Sequence, residues 1–116
     1  MIMITIYHNP RCSKSRATLA LLEKHGANVR IVEYLKKPPT SKELSAILSM
    51  LSITARSLLR TKESVYKSEG LDDKALSEQD LISAIIKNPI LMERPIVVAN
   101  NKAIIGRPPE NVLTII

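Results

Sequence analysis

A single cysteine, Cys12, stands in 116 residues, which excludes an internal disulfide and any zinc site built from several cysteines. Phe and Trp are absent, Tyr occurs three times, and aromatic residues make up 3% of the chain. The core must therefore be aliphatic, and stacking platforms for single-stranded nucleic acid have little to be built from. Apolar runs such as Leu19–Leu22 and Ile96–Ala99 stop at about four residues, against the ~20 that a membrane-spanning helix needs. The chain does not open on the Lys/Arg-then-apolar layout of a secretion signal. No basic run is longer than the pair Lys36-Lys37, which argues against a nucleic-acid-binding tail. Together these absences predict a cytoplasmic protein with neither membrane nor nucleic acid as partner.

What is present fits one globular domain: hydrophobic residues are 45% and charged residues 24% of the chain. Lys and Arg number 17 against 11 Asp and Glu, a net charge of +6. A scattered basic excess suits either a solvated surface or a small anionic partner.

The hydrophobic pattern orders the elements. Ile4 and Ile6 alternate against Thr5 in a strand over Met1–Tyr7, and Asn9-Pro10 turns the chain. A helix over about Ser13–His25 ends at Gly26, and Val29–Tyr34 is a second strand. Strand, helix and strand of these lengths make a right-handed parallel crossover. The next stretch is helical. Thr40 and Glu43 form a capping box ahead of the Leu44, Ile47, Leu48, Leu51 stripe, Thr54 caps a shorter helix, and Ser77 opens another that Pro89 ends. Ile96–Ala99 and Lys102–Gly106 form a hairpin around Asn100-Asn101, and Pro108-Pro109 start a last short helix. The predicted fold is α/β: a thioredoxin-like (glutaredoxin-like) four-stranded mixed sheet with an all-helical insertion between strands 2 and 3. Residues 1–116 then form a single domain, its core over about 1–34 and 95–116 and the insertion over about 35–94.

Cys12 falls between the first strand and the first helical residue. Helix N-termini present unpaired N–H groups and partial positive charge, which favour a thiolate over a thiol of ordinary pKa ~8.5. Arg11, Lys14 and Arg16 add cations. A buried structural cysteine is the competing reading. Cys12-Ser13-Lys14-Ser15 is C-x-x-S, so Ser15 can hydrogen-bond a thiolate but cannot resolve it as a disulfide. His8 at the strand end is either a turn residue or an imidazolium that lowers the thiol pKa. Arg60 also fits a charge at a helix C-terminus. Arg94 and Arg107 flank the hairpin, each before a proline, and its antiparallel pairing puts both at one edge, where two guanidinium forks suit a tetrahedral oxyanion.

Tyr7-His8-Asn9-Pro10-Arg11-Cys12-Ser13-Lys14-Ser15-Arg16, Leu58-Leu59-Arg60, Arg94-Pro95-Ile96-Val97-Val98 and Arg107-Pro108 resemble, in order and spacing, the glutaredoxin-coupled arsenate reductase (ArsC) family, in its YfgD-like branch. The segments Glu33-Tyr34-Leu35, Pro38-Pro39 and Asn88-Pro89-Ile90-Leu91 resemble it too, so the likeness spans essentially the whole chain. It implies an arsenate reductase in which Cys12 is the nucleophile and Arg60, Arg94 and Arg107 hold the oxyanion. His8 and Ser15 would activate the thiolate, and Pro95 would match the cis-proline facing the nucleophile. It also implies glutathione as co-substrate and a glutaredoxin as partner, with no bound cofactor and no metal. Ser13 and Lys14 stand where the family has Gly and Thr, Glu93 where it has Asn, and Gly106 where a Cys is common. Two other activities share this plan. A monothiol glutaredoxin-like thiol-disulfide oxidoreductase is compatible with C-x-x-S. An Spx-like regulator binding RNA polymerase would carry a C-x-x-C switch, which one cysteine cannot form.

Overall fold

The computed structural model describes residues 3–26, 28–93 and 95–116. Four strands form one mixed sheet: β1 (Met3–His8), β2 (Asn28–Glu33), β3 (Ile96–Ala99) and β4 (Lys102–Ile105), in the order β2-β1-β3-β4. β1 runs parallel to β2, with Ile4 opposite Val29 and His8 opposite Glu33, and antiparallel to β3, with Ile6 opposite Val97. This is the thioredoxin-like arrangement that the sequence predicts. The crossover between the parallel strands is helix α1 (Ser13–Lys24), which Gly26 follows at φ +70°.

Backbone contacts divide the chain into two compact units, 1–37 with 94–116 and 38–93. The core of the sheet unit is aliphatic. Ile4, Ile6, Leu22, Val97, Ala99 and Val112 are all but sealed from solvent, with Leu19, Leu21, Val29 and Ile104 packed against them. The hairpin turn at Asn100 and Asn101 has φ +54° and +59°, the left-handed pair that a two-residue turn requires and that Asn tolerates. A short 3-10 helix, Pro109–Thr114, closes this unit.

The helical unit holds α2 (Ser41–Leu51), α3 (Ala55–Leu58), α4 (Ser64–Ser68) and α5 (Glu78–Lys87), then a 3-10 turn at Pro89–Leu91. Both capping boxes are formed: Thr40 with Glu43, and Ser77 with Asp80. Leu44, Ile47, Leu48, Leu58, Leu81, Ile82, Ile85 and Leu91 make its core. The helix that Thr54 caps is shorter than the sequence suggests. It ends at Leu58, because Leu59 pairs with Met92 as an isolated β-bridge and the Arg60 N–H donates to Leu91 O at 2.8 Å. Arg60 therefore lies one residue beyond the C-cap Leu59 and does not end the helix, as the sequence suggests it does. Among the described residues no helix is long and apolar enough to cross a membrane.

Candidate active site

The turn from β1 into α1 is knitted by short-range hydrogen bonds. Asn9 organises it. Its carbonyl accepts from the Cys12 N–H at 3.0 Å, its side-chain Oδ1 accepts from the Arg11 N–H at 3.0 Å, and its own N–H donates to Ser15 Oγ at 3.0 Å. Pro10 sits inside this turn, and its carbonyl accepts from Arg16 Nη1 at 2.8 Å. Cys12 is thus the N-cap residue of α1, in extended conformation (φ −95°, ψ 122°), its carbonyl taking the first helical bond from the Arg16 N–H. The thiol side chain is partly buried. No acidic residue occupies the first turn of α1, while Arg11, Lys14 and Arg16 surround it and are exposed. The N–H groups and partial positive charge of this helix end act at one place with those cations.

Ser15 is fully buried at the third position of α1. Its Oγ lies 2.6 Å from His8 Nδ1 and also accepts the Asn9 N–H. His8 is itself buried. Burial lowers its pKa from the ordinary 6.5; Glu33, its partner across β1 and β2, pulls the value up, and Arg16 pushes it further down. At neutral pH this favours the uncharged ring. The structure therefore disfavours the imidazolium that the sequence suggests at His8. The ring reaches the cysteine turn through the Ser15 hydroxyl.

Thr18 joins the hairpin to the cysteine helix. Buried in α1, it donates from Oγ1 to Lys14 O at 2.8 Å and lies 3.3 Å from Gly106 O. The Gly106 N–H donates to Pro95 O at 2.9 Å, extending the hairpin ladder one pair beyond β3 and β4. A Cβ at Gly106 would stand 2.7 Å from Thr18 Oγ1 and 3.0 Å from Pro95 Cγ, so only glycine fits this approach without displacement. Arg107 is the next residue, exposed, and it leaves the strand beside the helix that Cys12 caps. The Arg107–Pro108 peptide is cis. Arg94, and with it the Arg94–Pro95 bond expected to be cis, lies outside the described residues.

In the helical unit, Arg60 is half-buried and its Nη1 donates to Glu63 Oε1 at 2.7 Å. Sequence reasoning did not anticipate this partner, although its spacing of three residues is a usual one for an ion pair. From the sequence this stretch is read only as a proline turn, although an Asn just ahead of a helix start is the signal of an Asx-type turn that could have located the bonds of Asn9. The Thr18 link spans 88 residues and left no local signal. The described residues contain no cluster of His, Cys, Asp and Glu that could hold a metal ion.

Comparison with known proteins supplies the context for this geometry. The sequence model of the ArsC family matches residues 7–115. YfgD of Escherichia coli (strain K12) is 54% identical over 114 residues, which are 97% of this chain and 96% of the relative. A Neisseria meningitidis (serogroup A) protein named arsenate reductase is 50% identical over 110 residues, 94% of each chain. A solved structure of arsenate reductase from Vibrio cholerae is 46% identical, with a TM-score of 0.95 over 99% of this chain and 98% of that one.

Proposed function

From the premise that the chain belongs to the ArsC family, we propose that it is an arsenate reductase with Cys12 as nucleophile. The observation that carries this reading is the position of Cys12, the N-cap of a helix whose first turn has cations around it and no carboxylate. That one arrangement favours a thiolate and also attracts the anion it must attack.

In the proposed reaction the Cys12 thiolate bonds to arsenic as one arsenate oxygen leaves as water. A glutathione thiol and a glutaredoxin thiol then supply two electrons. They depart as a mixed disulfide, while arsenite is released and the Cys12 thiol is restored. The chemistry runs on thiols, without a resident cofactor. Arg107, carried to α1 by the Gly106–Thr18 link, holds an arsenate oxygen; the resemblance to the family, and not this geometry, implies Arg94 and Arg60 as further oxyanion ligands. Pro95, paired through its carbonyl to Gly106, supports the strand end from which Arg107 emerges.

His8 and Ser15 activate the nucleophile by hydrogen-bond direction. Ser15 Oγ has one proton and already accepts from Asn9. When His8 carries its proton on Nδ1, the ring donates to Ser15, and the hydroxyl proton is left to point at the Cys12 sulfur.

The test is arsenate-dependent oxidation of reduced glutathione, measured with and without a glutaredoxin. Turnover that needs both and vanishes in Cys12→Ser is the expected result. Disulfide reduction by the wild-type chain without any arsenate dependence would replace this reading by the thiol-disulfide oxidoreductase one.

A further inference from the structure

Reduction of arsenate consumes two thiol electrons, yet this chain has one cysteine, with Ser15 where a resolving thiol would stand. The second reagent must dock from outside, close enough to reach Cys12. A cleft of about 340 Å³ opens against the same turn, walled by Pro10 and Arg11 on one side and by Glu33, Leu35 and Lys36 on the other. That volume falls within the ~300–1,000 Å³ typical of small-molecule sites. Arg11 is the residue before Cys12, so their Cα atoms are about 3.8 Å apart and the cleft wall is continuous with the nucleophile's backbone.

The charges lining the cleft are mixed. Arg11 and Lys36 are exposed cations, and Glu33 is a carboxylate that Lys36 Nζ approaches at 3.7 Å. A pair this exposed and this long contributes little, so it opens at small cost to a ligand bearing both signs. Leu35, 41% exposed, and Pro10 supply apolar contact. We propose that this cleft binds the thiol co-substrate, a small peptide thiol with carboxylates and an ammonium group. Arg11 and Lys36 take the carboxylates, Glu33 takes the ammonium, and the ligand's sulfur is directed along the Pro10–Arg11 wall toward Cys12. The inference rests on the thiol-dependent reduction proposed above and adds to it where the thiol binds and which residues select it.

The experiment uses the ¹⁵N-labelled full chain and S-methylglutathione, a thioether that binds without reacting. Saturable amide shifts confined to residues 9–11 and 33–36 are expected. Lys36→Glu and Arg11→Glu, both at exposed positions, should each weaken binding about fivefold, the upper range for loss of one exposed ion pair. In turnover, Lys36→Glu should raise KM for glutathione about fivefold more than it raises KM for arsenate. Shifts mapping elsewhere, no saturable shifts, or an unchanged affinity in both charge-reversal variants would overturn the proposal. The titration needs no arsenate, so a wild-type chain that binds the probe here yet fails to reduce arsenate would sink the arsenate reading and leave this site standing.

Discussion

Around Cys12 the cations Arg11, Lys14 and Arg16 are exposed and the first turn of α1 carries no carboxylate, whereas Arg60 in the helical unit is already held by Glu63 at 2.7 Å. The resemblance to the ArsC family assigns anion binding to both regions, but their electrostatics differ. At the cysteine turn, backbone N–H groups and side-chain charges add, and an arriving anion meets nothing of its own sign in that turn. At Arg60 it must share a guanidinium with a half-buried carboxylate three residues away. The difference teaches that an arginine in the right motif is not by itself a ready anion ligand, because what already neutralises it sets how strongly it binds.

The sharpest way to break the cysteine side of this comparison is Ser15→Ala. It leaves the Asn9 N–H and His8 Nδ1 without their shared partner in a buried place, at about 1–3 kcal/mol of stability. Urea unfolding should show that loss, and iodoacetamide alkylation of Cys12 should slow at neutral pH. Unchanged alkylation would remove Ser15 from thiolate activation. Next in size is Gly106→Ala, whose new methyl meets Thr18 and Pro95. A cost of about 1–3 kcal/mol is expected for overpacking, and Thr18→Ala in the same chain should recover part of it. Additive losses in that double-mutant cycle would show that the two positions do not couple.

On the other side of the comparison, Glu63→Gln removes the charge that competes for Arg60. An exposed or half-exposed pair contributes about 0.2–1 kcal/mol, so KM for arsenate should fall by up to about fivefold. A rise would mean instead that Glu63 aims Arg60. The smallest effect expected is on the pH dependence of stability. The folded pKa of His8 is lowered from 6.5 by burial, so the unfolded chain takes up a proton that the native one resists. The stability from neutral His8 is complete above 6.5 and is lost as pH falls through that value toward the lower folded one. Thermal melts in this window should lose that slope in His8→Asn. A slope that persists would belong to other groups.

Much of this molecule was legible because its signals are local. The capping boxes at Thr40 and Ser77, the i, i+3, i+4 stripe from Leu44, the paired Asn of the hairpin and the strand-turn-helix setting of Cys12 depend on residues within a few positions of one another. Propensity and periodicity act over that range, and the sequence alone therefore determined the sheet, the helical stretch and the placing of Cys12 at a helix start. Burial and long-range approach are different, since they depend on what the rest of the chain packs nearby. Only the tertiary structure decided that His8 is buried beside Ser15 and favours the neutral ring, that Leu59 pairs with Met92 and ends its helix before Arg60, and that Thr18 meets Gly106 across 88 residues. A pKa follows from desolvation, a helix end from a competing strand partner, and a required glycine from a neighbour's hydroxyl. None of these is a property of the residue's own place in the chain.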